Sequence, residues 1–466
     1  MSTLKISKDE NAHSHIQREF SRLPPVPKLN QKVRLLSGRM RNSSNAPLAK
    51  QEANYRHQLI LCMQRLSTQC FGVPRYFSFI ILKHIQSEMK TTANRGGNNT
   101  SSNSLLSGGA ATQNIVTAQH VKDFYDKYLR GKDSPRRTFD LLVLSCSLAN
   151  HELTNIPVTN LYLSPDTSEL RTHLLPEDFI AYLECLLQHH PGLSFLHETP
   201  DFQIKYLDTV VYRIFYTLDR FDRGRISYSE FVNSTLLDAF RQVDASEDIN
   251  SILQFFSYEH FYVLYCRFWE LDEDRDMLIS KEDFVHYAPE DVMNPIVVDR
   301  VFEGIGRRKH CKSENEMDYE DFVWFCLSEE DKSTFTSIRY WFRILDLDGD
   351  GILSVYELHL FYEATKNIIG QFIAEGLIGF EDVICQVFDM LRLSPEEGIR
   401  LGDLLREREA ASVALNMLTN VIRFLQFEQR DPFVLHQERL IGGLEQTAWD
   451  RFARSEYDRM ALEADD

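Results

Sequence analysis

Residues 346–357 read DLDGDGILSVYE, a stretch in which carboxylates recur at alternate positions. Asp346, Asp348 and Asp350 hold its first, third and fifth positions. In a tightly turning loop, side chains at alternate positions point toward one centre, so three carboxylates can surround one cation. Gly351 follows, at a position where a left-handed backbone opposes any Cβ. The stretch therefore predicts a cation cage rather than a solvated acidic turn.

The rest of the stretch completes the twelve-residue loop of an EF-hand. Ile352 offers its backbone carbonyl, Ser354 can hold a bridging water, and Glu357 at the last position can bind with both oxygens. Apolar residues at helical spacing predict the two flanking helices: Phe335, Ile338, Phe342 and Leu345 before the loop, and Val355, Leu358 and Phe361 after it. A wide, carboxylate-rich oxygen site favours Ca²⁺ over Mg²⁺.

A second acidic loop, DEDRDMLISKED, occupies residues 272–283. Its predicted ligands, in order, are Asp272, Asp274, Asp276, the carbonyl of Leu278, Ser280 and Asp283. Met277 replaces the glycine and must accept a left-handed backbone at a cost of about 1 kcal/mol. Asp283 replaces the final glutamate and is one methylene shorter. We therefore expect two calcium sites, with lower affinity or more Mg²⁺ tolerance at residues 272–283.

Degenerate copies of the loop indicate a repeat. DRFDRGRISYSE, from Asp219, places Phe221 and Arg223 where oxygens are required, so we expect it to be metal-free. EF-hand loops bury their backbones by pairing, and the apolar residue at the eighth position marks each contact. The predicted pairs are Leu174 with Ile226, Ile279 with Met317, and Leu353 with Ile399. Each acidic loop would then have a metal-free mate.

Helical patterns dominate from about residue 116 to residue 430, and they predict an all-α fold. We expect an array of EF-hand-like helix–loop–helix pairs joined by short β-bridges between loops. The predicted segments are a disordered N-terminal tail (1–47), a helical segment (48–90), a flexible Gly/Ser/Asn linker (91–115), a degenerate EF-hand-like pair (116–245), an EF-hand pair with loop 272–283 (246–330), an EF-hand pair with loop 346–357 (331–430) and a C-terminal tail (431–466).

Composition narrows the classes of partner and compartment. The formal net charge of −18 argues against nucleic acid and anionic membranes, and it fits a basic partner or bound divalent cations. The eight cysteines form no CxxC pair, which favours reduced thiols in the cytoplasm and/or the nucleus. No stretch reaches the roughly 18 apolar residues that a membrane span needs.

Calcium loops alone leave the function open. One reading is a stand-alone EF-hand calcium sensor or adaptor, and another is an enzyme regulated by calcium. The sequence contains no G-x-S-x-G, P-loop, kinase-type glycine loop or H-E-x-x-H motif. The absence of these catalytic motifs argues against an enzyme regulated by calcium.

Longer segments of the chain resemble the B″ regulatory subunits of protein phosphatase 2A, over roughly residues 170 to 460. They include EDINSILQFFSYEHFYVLYCRFWELDEDRD (247–276), EQRDPF (428–433) and WDRFARSEYD (449–458). The resemblance implies an elongated helical EF-hand protein with two functional calcium loops, which fall on 272–283 and 346–357. It also implies docking on a HEAT-repeat scaffold subunit, selection of phosphoprotein substrates for the catalytic subunit, and no catalytic residues.

Two further surfaces follow from this resemblance. Residues 73–77 (VPRYF) resemble the start of a family segment that lies near the catalytic side, although a plain helix start explains them equally well. Aromatic residues near the first acidic loop are expected to form a docking face once calcium orders that loop, with several of them in the core: Phe261, Tyr262, Phe268 and Trp269.

Overall fold

A computed structural model gives the fold, and it describes residues 2–24, 46–96, 115–146, 171–288, 293–372, 379–420, 423 and 447–465. The chain divides into two compact units. The first comprises Met1–Leu207 and Gly224–Asp248, and the second comprises Asp208–Arg223 and Ile249–Asp466. The boundary at residue 207 falls inside helix α7 (Pro200–Leu218).

Helices build the first unit around an aromatic core. Its α-helices are α1 (Ser2–Ser21), α2 (Ala46–Leu66), α3 (Phe77–Gly96), α4 (Ala118–Phe124), α5 (Ser134–Ser145), α6 (Glu177–His189), α8 (Tyr228–Val232) and α9 (Leu236–Ala245). Short π-helices cover Ser67–Phe71 and Tyr125–Leu129, and a 3₁₀-helix covers Pro191–Glu198. Phe77, Tyr182 and Phe240 join α3, α6 and α9, with ring centroids 4.7 to 5.5 Å apart.

The second unit carries both acidic loops. After α7 its α-helices are α10 (Tyr258–Leu271), α11 (Lys281–Phe284), α12 (Pro295–Phe302), α13 (Tyr319–Glu330), α14 (Phe335–Leu345), α15 (Val355–Phe372), α16 (Phe380–Leu391), α17 (Leu401–Arg406), α18 (Arg408–Thr419) and α19 (Ala448–Asp465). Phe268 of α10 packs edge-on against Tyr319 and Phe322 of α13, at centroid distances of 5.2 and 5.5 Å. The helix that enters the first acidic loop is thereby held against the helix of its mate.

Three antiparallel two-stranded bridges complete the fold: β1 (His173–Leu174) with β2 (Ile226–Ser227), β3 (Ile279–Ser280) with β4 (Glu316–Met317), and β5 (Ile352–Leu353) with β6 (Ile399–Arg400). The register places Leu174 opposite Ile226, Ile279 opposite Met317, and Leu353 opposite Ile399. All six side chains are buried. The predicted pairing is confirmed, and so is the all-α fold, because these bridges are the only strands in the described ranges.

A serine at the ninth loop position starts the exit helix in three loops. The Oγ atoms of Ser227, Ser280 and Ser354 accept hydrogen bonds from the backbone N–H three residues later, at 3.3, 3.1 and 3.2 Å. Such an N-cap stabilises a helix by about 1 kcal/mol, because it satisfies an N–H that lacks an intrahelical acceptor. The loop sequence thus specifies its own exit helix.

The prediction of a disordered tail over residues 1–47 is wrong for residues 2–21, which form α1. Ile16 is buried, and the buried Glu19 pairs with Arg22 and with Arg65 of α2, at 2.5 and 2.9 Å. The Arg65 contact comes from a distant segment, so local polarity is a poor guide here. Residues 25–45 lie outside the described ranges.

The predicted linker also needs correction, because α3 continues to Gly96. Residues 97–114 lie outside the described part of the chain.

The segment predicted as a C-terminal tail contains α19, which packs on α10. There His260 Nδ1 accepts hydrogen bonds from Trp449 Nε1 at 3.2 Å and from the Arg213 guanidinium at 2.8 Å. Burial and Arg213 lower the pKa of His260 well below its ordinary value, so this imidazole is a neutral acceptor.

No helix in the ranges covered by the structure has the length and apolar character needed to cross a bilayer.

Candidate metal centres

The loop between α14 and α15 gathers three carboxylates. Asp346, Asp348 and Asp350 each present one oxygen, and these oxygens all lie within 4.8 Å of one another. Asp346 is buried, whereas Asp348 and Asp350 are exposed. Three like charges this close repel one another unless a cation lies between them. The donor set therefore fits a divalent ion with a preference for oxygen.

Backbone N–H groups fix the turns of this loop. The Asp346 carboxylate accepts hydrogen bonds from Gly349 and Gly351 at 2.9 and 3.1 Å, and Asp350 accepts one from Ile352 at 2.7 Å. Gly349 and Gly351 have φ values of 74° and 82°. A Cβ at Gly351 would meet no atom within 4 Å, so this position requires glycine for its backbone conformation alone.

Glu357 closes the cage from the first turn of α15. Its carboxylate accepts hydrogen bonds from the Leu347 N–H at 2.6 Å and from the N–H and Oγ of Ser354, both at 2.8 Å. Burial alone would raise the pKa of Glu357, but these hydrogen bonds outweigh burial and lower it. A charged, pre-oriented carboxylate therefore faces the cage.

The loop between α10 and α11 repeats the arrangement. Asp272, Asp274 and Asp276 also bring oxygens within 4.8 Å of one another. The fully buried Asp272 accepts hydrogen bonds from the N–H groups of Asp276 and Met277 at 3.1 and 3.0 Å. Burial, and to a lesser degree the Asp276 charge, raises the pKa of Asp272. A cation at this position would relieve both effects.

Two non-glycine residues in this loop adopt a left-handed backbone. Met277 has a φ of 71°, as predicted from its place in the loop, and Arg275 has a φ of 66°. Glycines hold both positions in the later loop. The Arg275 guanidinium lies 4.1 Å from the Trp269 ring centroid and donates to the Trp269 carbonyl at 2.7 Å. Sequence reasoning missed this clamp, because nothing in the loop pattern marks the fourth position.

The degenerate loop at residues 219–230 carries Arg223 at a position where an EF-hand has a cation ligand. The Arg223 N–H donates to the Asp219 carboxylate at 2.6 Å, and Arg223 Nε lies 3.3 Å from the other Asp219 oxygen. A guanidinium thus neutralises the first aspartate of this loop. This contact gives a physical reason for the prediction that the loop is metal-free.

In the mate of the first acidic loop, acids that follow β4 hold the segment that precedes it. Asp321 accepts hydrogen bonds from the His310 and Cys311 N–H groups at 2.8 and 2.9 Å, and Asp318 contacts His310 Nδ1 at 2.5 Å. Among the described residues, only the two predicted loops bring three potential metal ligands together. Within each loop, the role of the individual residues as ligands stays a prediction.

The aromatic residues near the first loop serve the core more than the surface. Phe261 and Phe268 are buried, in agreement with the expectation that several of the four residues lie in the core. Tyr262 and Trp269 are half-buried, and the Tyr262 ring lies 5.9 Å from that of Tyr457 in α19. The hydrophobic stripe of α10 therefore faces α13 and α19.

Residues 73–77 lead into helix α3. Val73, Pro74, Tyr76 and Phe77 are buried in the first unit, and α3 begins at Phe77. These residues therefore lead into a helix, and their resemblance to a family segment near the catalytic side stays a prediction.

Comparison with known proteins gives these loops a context. A family model described as an EF-hand domain matches residues 164–246. A B″δ regulatory subunit of protein phosphatase 2A from Arabidopsis thaliana, named as probable, is 44% identical over 63% of this chain and 54% of its own length. The human B″ subunit beta is 41% identical over 62% of this chain and 50% of its own length. The chain thus spans about half the length of the curated relatives it matches.

A solved chain from a PP2A PR70 holoenzyme is 40% identical and covers 57% of this chain, with a TM-score of 0.51. The match includes 96% of that solved chain. The relatives are named as regulatory subunits rather than catalytic ones. The paired loops, the helical fold and these identities lead to one conclusion: the chain belongs to the family of B″ regulatory subunits of protein phosphatase 2A.

Proposed function

We propose that this chain is a calcium-binding regulatory subunit of the protein phosphatase 2A holoenzyme. In this role it docks on the scaffold subunit and directs the catalytic subunit to phosphoprotein substrates, without catalytic residues of its own. The observation that carries the proposal is the match to a chain in a solved PP2A PR70 holoenzyme, which covers 96% of that chain at 40% sequence identity. The name of that holoenzyme structure marks it as diCa.

Two calcium ions are part of this proposal. One set of ligands is Asp346, Asp348, Asp350, the Ile352 carbonyl, Ser354 and Glu357, and the other is Asp272, Asp274, Asp276, the Leu278 carbonyl, Ser280 and Asp283. The clustered oxygens of each loop support it. The later loop meets every EF-hand position, so we propose tighter binding there.

Calcium would act by ordering the helices around the first acidic loop in the second unit. An ion in the first loop ties the end of α10 to the start of α11, and the Ile279–Met317 bridge connects that loop to α13. Phe284 of α11 also packs against Phe325 of α13, with centroids 4.7 Å apart. Ordering these helices before docking removes an entropic cost from scaffold binding, so calcium raises the affinity.

Binding to purified core enzyme, scaffold plus catalytic subunit, tests the proposal. We expect a Kd about tenfold lower in calcium than in chelator, the usual size of a coupling between two sites. The double variant Asp272→Ala, Asp274→Ala should lose this difference. A control with two exposed aspartates replaced elsewhere, Asp201→Ala with Asp238→Ala, should keep it.

The outcomes separate the remaining readings. Calcium binding in calorimetry without any binding to core enzyme would identify a stand-alone sensor. If wild type and the double variant bind core enzyme with the same Kd, and this Kd is the same in calcium and in chelator, the calcium mechanism is refuted.

We also propose that the protein works in the cytoplasm and/or the nucleus. All eight cysteines lie in the described ranges as free thiols. Burial raises the pKa of Cys62 and of Cys185 to about 11, so these thiols stay protonated and unreactive. Imaging of a fluorescently tagged chain tests this, and accumulation in a secretory compartment would contradict it.

A further inference from the structure

Two phenylalanine rings meet at the surface of the second unit. Phe221 follows α7, Phe335 begins α14, and their ring centroids lie 5.7 Å apart in an edge-to-face contact. Phe221 is nevertheless 52% exposed. Since Phe335 covers only part of it, about half of the Phe221 side chain remains accessible to a binding partner.

Three arginines surround these rings. The Cζ atoms of Arg223 and Arg339 lie 5.8 and 5.5 Å from the Phe221 centroid. Arg220 Cζ lies 5.5 Å from the Phe335 centroid. We name these five residues the arginine–phenylalanine cluster. Guanidinium groups that stack on aromatic rings lose less freedom when they bind a ligand, because their orientation is already restricted.

The charges in this cluster are only partly compensated. Asp219 pairs with Arg223 at 3.3 Å, and Asp222 pairs with Arg307, outside the cluster, at 3.2 Å. Neither Arg220 nor Arg339 forms an ion pair with any residue that the structure describes.

A further cation lies on the same helix as Arg339. Arg343 stands one turn along α14 and is exposed. Burial first, and then the charge of Arg343, lowers the pKa of Arg339, while Asp222 and Asp219 oppose this shift. Four arginines (Arg220, Arg223, Arg339 and Arg343) outnumber the two aspartates (Asp219 and Asp222) here, so this surface is locally positive on a chain whose net charge is −18.

We propose that the arginine–phenylalanine cluster binds a phosphorylated serine or threonine of a peptide. A phosphate carries about −1.5 to −2 charges at neutral pH, which matches the two arginines without ion pairs. Planar guanidinium groups bind phosphate oxygens through paired hydrogen bonds, and such charge-assisted bonds are the strong ones. The accessible part of Phe221 packs against the peptide beside the phosphate.

The proposal deepens the proposed function, on which it rests for the source of the peptide, a phosphoprotein substrate. The acidic surface elsewhere repels a phosphopeptide, and salt screens attraction beyond about 10 Å. Recognition is therefore local to the cluster.

Fluorescence anisotropy with the full chain and no phosphatase tests the binding. The probe is a labelled peptide with one phosphothreonine between glutamates. We expect Arg339→Glu and Arg220→Glu each to weaken binding about tenfold or more, since each removes a charge-assisted contact and adds a like charge. The exposed Arg408 supplies the matched control, and Arg408→Glu should leave the affinity unchanged.

The same titration includes the peptide without its phosphate, which we expect to bind about tenfold more weakly. Equal binding of the two peptides, or no effect of Arg339→Glu, would overturn the proposal. Phe221→Ala, at an exposed position that should not disturb folding, should also weaken binding.

Binding of the same variants to core enzyme separates this proposal from the proposed function. If Arg339→Glu impairs core-enzyme binding but leaves the phosphopeptide affinity intact, the cluster is a subunit contact and the proposal falls. If wild type binds the phosphopeptide but no core enzyme, the proposed function fails while the cluster keeps its ligand.

Discussion

Glu357 reaches back across its loop and accepts a hydrogen bond from the N–H of Leu347 at 2.6 Å. Asp283, at the same position of the earlier loop, accepts instead from the Oγ of Ser280 at 2.7 Å. Within the described residues, the Asp283 side chain makes no hydrogen bond to the entering end of its loop. One methylene therefore decides whether the exit helix is tied to the entrance of the cage.

This difference predicts the effect of exchanging the two acids. Asp283→Glu should tighten calcium binding at the first loop by about tenfold, because the longer side chain can bind with both oxygens. Glu357→Asp should weaken the second loop by a similar factor. Calorimetric titration measures both affinities. Glu282→Asp, at an exposed residue next to the ligand, is the control, and a change of the same size there would point to a nonspecific effect.

The left-handed backbone of Met277 predicts a gain in stability on substitution. Met277→Gly should raise the free energy of unfolding by about 1 kcal/mol, because glycine adopts this backbone without a steric penalty. Gly351→Ala should lower it by about the same amount, since its φ is 82° and no neighbouring atom adds a clash. Denaturation in chelator measures both variants. A stabilising Gly351→Ala would show that the loop relaxes away from this conformation.

Gly398 is where the β5–β6 bridge tolerates no side chain. An added Cβ would lie 2.4 Å from Ile352 Cγ2 and 3.0 Å from the Leu353 carbonyl oxygen. Gly398→Ala should therefore cost about 1–3 kcal/mol, as overpacking does, and weaken the second calcium site. Gly402→Ala in α17 is the control, because a Cβ there meets nothing within 4 Å. Denaturation and calcium titration should show a loss of stability and of calcium affinity for Gly398→Ala but not for Gly402→Ala.

Asp244 predicts a pH dependence in the first unit. Burial raises its pKa from 3.8 to about 6, against the opposing hydrogen bond from the Arg75 N–H at 2.5 Å. Its Oδ1 is buried without a hydrogen-bond partner in the described ranges, and Arg75 Nε is 3.9 Å away. The folded state therefore holds a proton that the unfolded state releases.

The stabilising effect of this proton is complete below pH 3.8 and is lost as the pH rises through about 6. Asp244→Asn mimics the protonated acid, so its stability relative to wild type should increase between those values and then level off. Urea denaturation across this pH range measures the difference. The exposed Asp238→Asn should show no such trend, and a flat difference for Asp244→Asn would refute the assignment.

Features with a local chemical cause were predictable from the sequence. The acidic loops, their serine caps and the three apolar contacts between loops follow from fixed positions within one motif. Met277 was predictable for the same reason, because its place in the loop dictates its backbone. The family resemblance added the phosphatase context, which no loop residue specifies.

Features that depend on contacts between distant segments were not predictable. Ile16 lies in a polar stretch, and its burial depends on the packing of α1 against distant helices such as α2 and α4. Phe268 would be accessible from its position on α10 alone, but Tyr319 and Phe322 of α13 pack against it. The Arg275–Trp269 clamp and the rings at Phe221 depend on side-chain directions that no spacing rule supplies.

The β-bridges also predict the form of the proposed calcium response. In the described chain, the β3–β4 and β5–β6 bridges each join one acidic loop to a loop without a cluster of three carboxylates, so no second ion within either pair helps to order it. Cooperativity between ions of one pair is then absent, and occupancy of each site follows a hyperbola with a Hill coefficient near one. The expected response to calcium is therefore graded, spread over about two decades of concentration, rather than switch-like.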